Sequence, residues 1–179
     1  ASGPSPASTA DLRTRWGADV FLEVFSHPAT LTVVGAVHIA VPLAAMAQLL
    51  GFRVRLVDAR RAFATWERFP NVDELVVAWP QDALMPETLR PQDALVVLTH
   101  DPKFDVPALE AGLRSSVGYI GLLGSSSTQA KRHAALRDKG FDADELARIH
   151  GPVGLDLGGR RPPEIAVAIL AEIIAVQNA

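Results

Sequence analysis

The stretch Leu31-Thr32-Val33-Val34-Gly35-Ala36-Val37-His38-Ile39-Ala40 decides the fold. An apolar run rich in β-branched residues ends on a glycine, and an Ala- and Leu-rich helical pattern follows from Ala40 to Leu50. A second apolar run, Val54 to Val57, ends on Asp58. The order is strand, glycine turn, helix, strand, acid. In a dinucleotide-binding unit this order sets a phosphate over a helix N-terminus and a carboxylate beside a ribose. Position 37, where the pattern G-x-G-x-x-A has its second glycine, is Val. A branched side chain there keeps a pyrophosphate further from the backbone.

Outward from this unit, strands and helices alternate. The pattern predicts strands over 31–34, 53–57, 74–78, 94–98 and 118–122, and helices over 40–50, 81–89, 106–115, 126–139, 143–147 and 163–176. Runs such as Ala94-Leu95-Val96-Val97-Leu98 lack polar alternation. They suit strands buried on both faces of a mainly parallel sheet covered by helices, a Rossmann-like three-layer α/β sandwich over residues 30–179. Pro42 suits a first helical turn and Gly51 a helix stop. Pro70, Pro80, Pro86, Pro91, Pro102 and Pro107 are expected at connections or first turns. Residues 1–10 have linker composition, Asp11 to Gly17 reads as a short helix, and Val20 to Phe25 as an edge strand.

Composition narrows the function. The 179 residues are 49% apolar and 21% charged, with a net charge of -3. That is the composition of a folded domain, and no dense Lys/Arg cluster marks a nucleic-acid surface. There is no cysteine, which removes disulfides, thiolate metal sites and cysteine nucleophiles. No apolar run is long enough to span a membrane, and no secretory signal opens the chain, so a cytoplasmic location is expected. The chain starts at Ala1, as a fragment or processed piece would. His38, His100, His133 and His150 form no i, i+4 pair, and neither H-E-x-x-H nor G-x-S-x-G occurs.

Five places carry candidate chemistry. Beyond Gly35 and Ala36, the amides of Val37, His38 and Ile39 form an anion seat. The alternative is a plain strand–helix turn. Asp58 lies about 20 residues beyond Gly35, where a ribose-binding acid sits, and Arg60 beside it suits an additional phosphate. Arg61 reads as a surface residue. Thr99, His100 and Asp101 follow an apolar strand, on the edge where open α/β sheets bind ligands. His100 there suits hydrogen bonding or proton transfer, against the alternative of satisfying loop backbone. Gly124 and Ser125 open a helix bearing Lys131 and Arg132 as a second anion seat, or as an ordinary cap. Gly154 and Asp156 lie in the glycine-rich run 151–159, which reads equally as a ligand loop or a tight structural loop.

Several segments occur in one order: 33–40, Val57-Asp58, Arg68-Phe69-Pro70, Thr99-His100-Asp101, Tyr119 to Ser125, Gly151 to Gly159, Pro163-Glu164-Ile165-Ala166 and Ala171-Glu172-Ile173. Together they resemble the Rossmann domain of the XdhC/CoxI family of xanthine dehydrogenase accessory proteins, from about Val20 to Ala175. The resemblance implies binding of molybdenum cofactor, as molybdopterin or its dinucleotide form, and its delivery to a molybdenum hydroxylase apoenzyme. A cysteine desulfurase is implied as a further partner. It also implies that residues 1–29 are a linker or the remnant of an N-terminal module. The family's first turn commonly has Gly where this chain has Val37, which weakens NAD(P) binding more than a generic phosphate site. A non-catalytic insertion factor is therefore the first expectation, and an NAD(P)-binding oxidoreductase the alternative. A third reading is an interaction domain using Trp16, Trp66 and Trp79 as anchors, with self-association through the last helix.

Overall fold

The computed structural model describes residues 27–179. The expected linker, first helix, edge strand and Trp16 lie outside the described residues. Six strands, β1 (Thr30–Val34), β2 (Arg53–Val57), β3 (Glu74–Val76), β4 (Ala94–Val97), β5 (Tyr119–Leu122) and β6 (Ile149–His150), form one sheet. Their order is β3-β2-β1-β4-β5-β6, and every pairing is parallel. Strand order reverses between β1 and β4, so the loops after those two strands diverge to opposite faces and leave a crevice at the carboxyl edge.

The helices are α1 (Ala40–Leu49), α2 (Pro80–Ala83), α3 (Pro102–Leu113), α4 (Ser126–Arg137), α5 (Ala143–Leu146) and α6 (Pro162–Gln177). Alternate side chains of the strands face opposite layers. Leu31, Val33, Val54, Leu56, Ala94 and Val96 pack under α1 and α6, against Leu43, Ala47, Ile169 and Ile173. Val34, Val57, Leu95, Val97, Ile120 and Leu122 pack under α3, α4 and α5, against Phe104, Leu109, Leu136 and Leu146. Both faces are apolar, which is why the strands read as continuous hydrophobic runs.

Local chemistry sets the boundaries. α1 ends in a Schellman motif: Gly51, at φ +86°, donates to Gln48 O at 2.9 Å, and Phe52 donates to Ala47 O at 3.1 Å. α3 begins four residues earlier than the expected 106, because Asp101 caps it, accepting from the Lys103 amide at 2.9 Å, and Pro102 fills its first position. Pro107 therefore lies inside a helix, against expectation; it falls in the second turn, where only one backbone bond is forgone. The helix expected over 81–89 is broken. α2 stops at Ala83, Leu84 and Met85 are extended, and a 3-10 turn runs over Pro86–Thr88. Pro86 disfavours helical backbone at the residue before it. β6 has two residues, too few for a periodic signal, and its pairing with β5 alone makes it a strand.

Candidate cofactor-binding site

The parallel sheet brings Gly35, Asp58, Thr99 and Gly124 to one edge, since each follows the carboxyl end of a strand. Gly35 has φ +109°, a backbone that favours glycine, and donates to Val57 O at 2.9 Å. A Cβ on Gly35 would lie 2.6 Å from the Thr99 methyl carbon. The turns after β1 and β4 thus touch, and glycine is what permits it.

Asp58 organises the first turn. Its Oδ2 accepts the Ala36 amide at 2.7 Å and Arg60 Nη2 at 2.7 Å; its Oδ1 accepts the Arg60 amide at 2.8 Å and Arg60 Nε at 2.9 Å. The residue is 0% exposed. Burial pushes its carboxyl up, but the Arg60 side chain, the Ala36 and Arg60 amides and the Arg60 charge together hold it below the usual range. Arg60 in turn lies 4.7 Å from the centroid of the Phe63 ring and 5.3 Å from that of Phe104. Arg68 Nη1 donates to Ala36 O at 3.0 Å and Phe63 O at 2.8 Å. Two arginines therefore hold the Ala36 peptide, one through Asp58 and one directly.

Beyond Ala36, no described residue accepts a hydrogen bond from the amides of Val37, His38 or Ile39. These three donors precede α1, at the end of the helix where the dipole favours negative charge. His38 is exposed, and Val37 is half-buried against the α1 side of the core.

Thr99, His100 and Asp101 form the second turn, with unequal roles. Thr99 is buried and its hydroxyl donates to Asp105 Oδ1. Asp105, wholly buried, also accepts from Arg132 Nε at 2.8 Å, and Arg132 Nη2 donates to His100 O at 3.0 Å. Burial raises the Asp105 carboxyl above the usual range, against the opposing pull of Thr99 and Arg132. Arg132, expected to add charge to an anion seat, is instead buried and fastens α4 to α3 and the β4 loop. His100 exposes its ring, and Asp101 serves as the α3 cap.

At the third turn Gly124 has φ +138°, and Ser125 is the cap of α4, accepting from the Thr128 amide at 3.4 Å. The amides of Ser126 and Ser127 donate to no described residue. The glycine-rich run is fastened to α6. Glu172 Oε2 accepts the Tyr119 hydroxyl at 2.6 Å and the Gly154 amide at 2.7 Å, while His150 Nδ1 lies 3.3 Å from Oε1. A Cβ on Gly154 would lie 3.0 Å from Ile169 N, so this glycine serves close packing on α6. Asp156 is exposed and accepts the Gly158 amide at 3.2 Å.

Sequence reasoning missed Arg68, Phe63, Phe104, Asp105 and Glu172. Arg68 had a signal, the Arg68-Phe69-Pro70 segment, but its grip on Ala36 joins residues 32 apart in sequence. Of the anchors considered for a partner surface, Trp66 is 56% and Trp79 40% exposed. Among the described residues no group of three His, Cys, Asp or Glu is placed to hold a metal ion, and no helix is long and apolar enough to cross a membrane.

A doubly wound parallel sheet with its glycine turn at the topological switch point defines a Rossmann domain. Comparison with known proteins identifies which kind. The XdhC Rossmann domain family matches residues 31–173, and the chain belongs to that family. It is 35% identical over 160 residues to a probable xanthine dehydrogenase subunit of Bacillus subtilis, covering 89% of this chain and 46% of that protein. It is 32% identical over 84 residues to "Molybdenum cofactor insertion chaperone PaoD" of Escherichia coli, covering 47% of this chain and 26% of that protein. A crystal structure of a xanthine dehydrogenase from Bacillus halodurans superposes with a TM-score of 0.73 at 31% identity, covering 86% of this chain and 44% of that one. The chain spans less than half the length of each of these proteins.

Proposed function

We propose that this domain is the cofactor-holding part of a maturation factor for molybdenum hydroxylases, which binds molybdenum cofactor and passes it to the apoenzyme. Family membership and the names of two relatives support the accessory role. The observation that carries the binding role is the set of three amides at Val37, His38 and Ile39 that donate to no described residue, beside the buried Asp58 carboxylate and its partner Arg60, which shape the turn presenting them. That donor set suits the phosphate end of the cofactor. Thr99, His100 and Asp101 line the neighbouring turn, and Gly124 and Ser125 the next; Gly154 and Asp156 border the same edge. The cofactor supplies its own dithiolene and metal chemistry, so the protein's residues need only bind, orient and shield. With no cysteine in these 179 residues, any sulfur carrier is a separate chain or segment, such as a cysteine desulfurase.

An NAD(P)-binding oxidoreductase has less support. Val37 stands where the pyrophosphate approaches, and Asp58 is engaged by the chain's own donors. A cytoplasmic location and self-association belong to the same proposal as expectations.

The test is anaerobic titration with molybdenum cofactor, followed by transfer to a hydroxylase apoenzyme. Saturable binding that weakens on His38→Pro, which removes one amide, supports the reading. Affinity no tighter than that for free phosphate overturns it.

A further inference from the structure

Resting on the cofactor-binding reading, we infer that the subsite at the carboxyl end of β2 accepts a phosphate monoester and rejects a ribose diol, with Arg60 as the deciding residue. Dinucleotide-binding domains place a free carboxylate here to accept both ribose hydroxyls. In this chain Asp58 occupies that place but has no acceptor to offer. A carboxylate has about four lone-pair sites, and Ala36 N, Arg60 N, Arg60 Nε and Arg60 Nη2 approach Asp58 at 2.7–2.9 Å. A diol would have to displace a bidentate guanidinium from a wholly buried acid.

What the subsite presents instead is Arg60 itself. Its side chain is 40% exposed, and its Nη1 donates to no described residue. It lies over the rings of Phe63 and Phe104 and is held through Nε and Nη2 by Asp58, so its planar donor edge keeps one direction. Arg68 also lies near Phe63, its guanidinium carbon 5.9 Å from that ring's centroid. Asp101 is the further carboxylate that acts on Arg60; it is exposed, and its Oδ1 accepts the Lys103 amide. A fixed guanidinium with unused N–H groups suits a phosphate dianion.

Calorimetry with two probes isolates the subsite: adenosine 2′,5′-bisphosphate and adenosine 5′-monophosphate, which differ only in a phosphate on the diol. The wild-type chain should bind the bisphosphate at least about tenfold more tightly. Arg60→Ala, which uncovers Asp58, should abolish or invert that preference, and Arg60→Lys should keep part of it. Because Arg60→Ala strips a buried acid of its partner, the wild-type Arg60 Nε–H resonance gives a reading that needs no variant: it should shift with the bisphosphate and not with the monophosphate. Equal affinities, a preference for the monophosphate, no binding of either probe, or a preference that survives in folded Arg60→Ala would overturn the inference. Cofactor titration is a separate measurement, so binding of the cofactor without discrimination between the probes removes this subsite and leaves the broader reading standing.

Discussion

Asp58 Oδ2 accepts the Ala36 amide at 2.7 Å, so the acid that ends β2 holds the turn that ends β1. The same oxygen accepts Arg60 Nη2. One buried carboxylate thereby fixes the direction of the backbone just before the three amides that donate to no described residue. Its role in the site is to position donors, and the guanidinium it carries is the group shown to solvent.

Asp58→Asn should cost about 1.5–3 kcal/mol, because it weakens charge-assisted hydrogen bonds at a buried carboxylate whose partner Arg60 is partly exposed. The pH dependence has a definite sign. The folded carboxyl lies below its ordinary value, so its stabilisation is present above the unfolded value and is lost as pH falls through the folded one. Urea unfolding from neutral pH down through the acid range should show a smaller acid-side loss in Asp58→Asn than in the wild type.

Arg132→Met should destabilise by about 3–5 kcal/mol near neutral pH, since it strands the Asp105 charge in the core. Burial already raises the Asp105 carboxyl, so its favourable contribution is complete in acid and fades as pH rises through the folded value. The variant's deficit should therefore shrink as pH is lowered. Asp105→Asn combined with Arg132→Met should cost less than the two single changes added, measured as a double-mutant cycle.

Gly35→Ala should cost about 2–4 kcal/mol, from a strained backbone and contact with Thr99. Thr99→Ser removes the methyl that the new Cβ would meet and keeps the hydroxyl that Asp105 accepts. The double variant should recover the packing part of the loss and leave the backbone part, read as two distinct melting temperatures.

Glu172→Gln should release the glycine-rich run. Hydrogen exchange at the Gly154 amide should quicken by about tenfold, the equivalent of one hydrogen bond to a charged group. Tyr119→Phe should cost about 1 kcal/mol with little change at Gly154. Burial, followed by the hydrogen bond to Glu172, pushes the Tyr119 hydroxyl far up, so it stays a donor and this effect should be flat with pH.

Residues 30–58 could be read from the chain because each signal there is local. A β-branched run, a glycine at the turn, an Ala-rich helix stopped at Gly51 and an acid ending the next strand lie side by side, and backbone geometry follows from neighbours in sequence. The same holds for the Ser125 cap and for the continuous apolar strands that implied a parallel sheet. Failures came where distant residues decide. Arg132 looked like a free cation until Asp105 on another helix claimed it, and nothing local told that α6 would pack so close to Gly154 that a Cβ there would lie 3.0 Å from Ile169 N. Asp58 sat where a ribose acid belongs, yet the donors that occupy it include Ala36, 22 positions away and reached only once β1 and β2 pair. Spacing along a chain places a carboxylate at a strand end; which proton donors surround it depends on how the strands and loops meet in space, and that decides whether it offers a charge to a ligand or uses it to hold the fold.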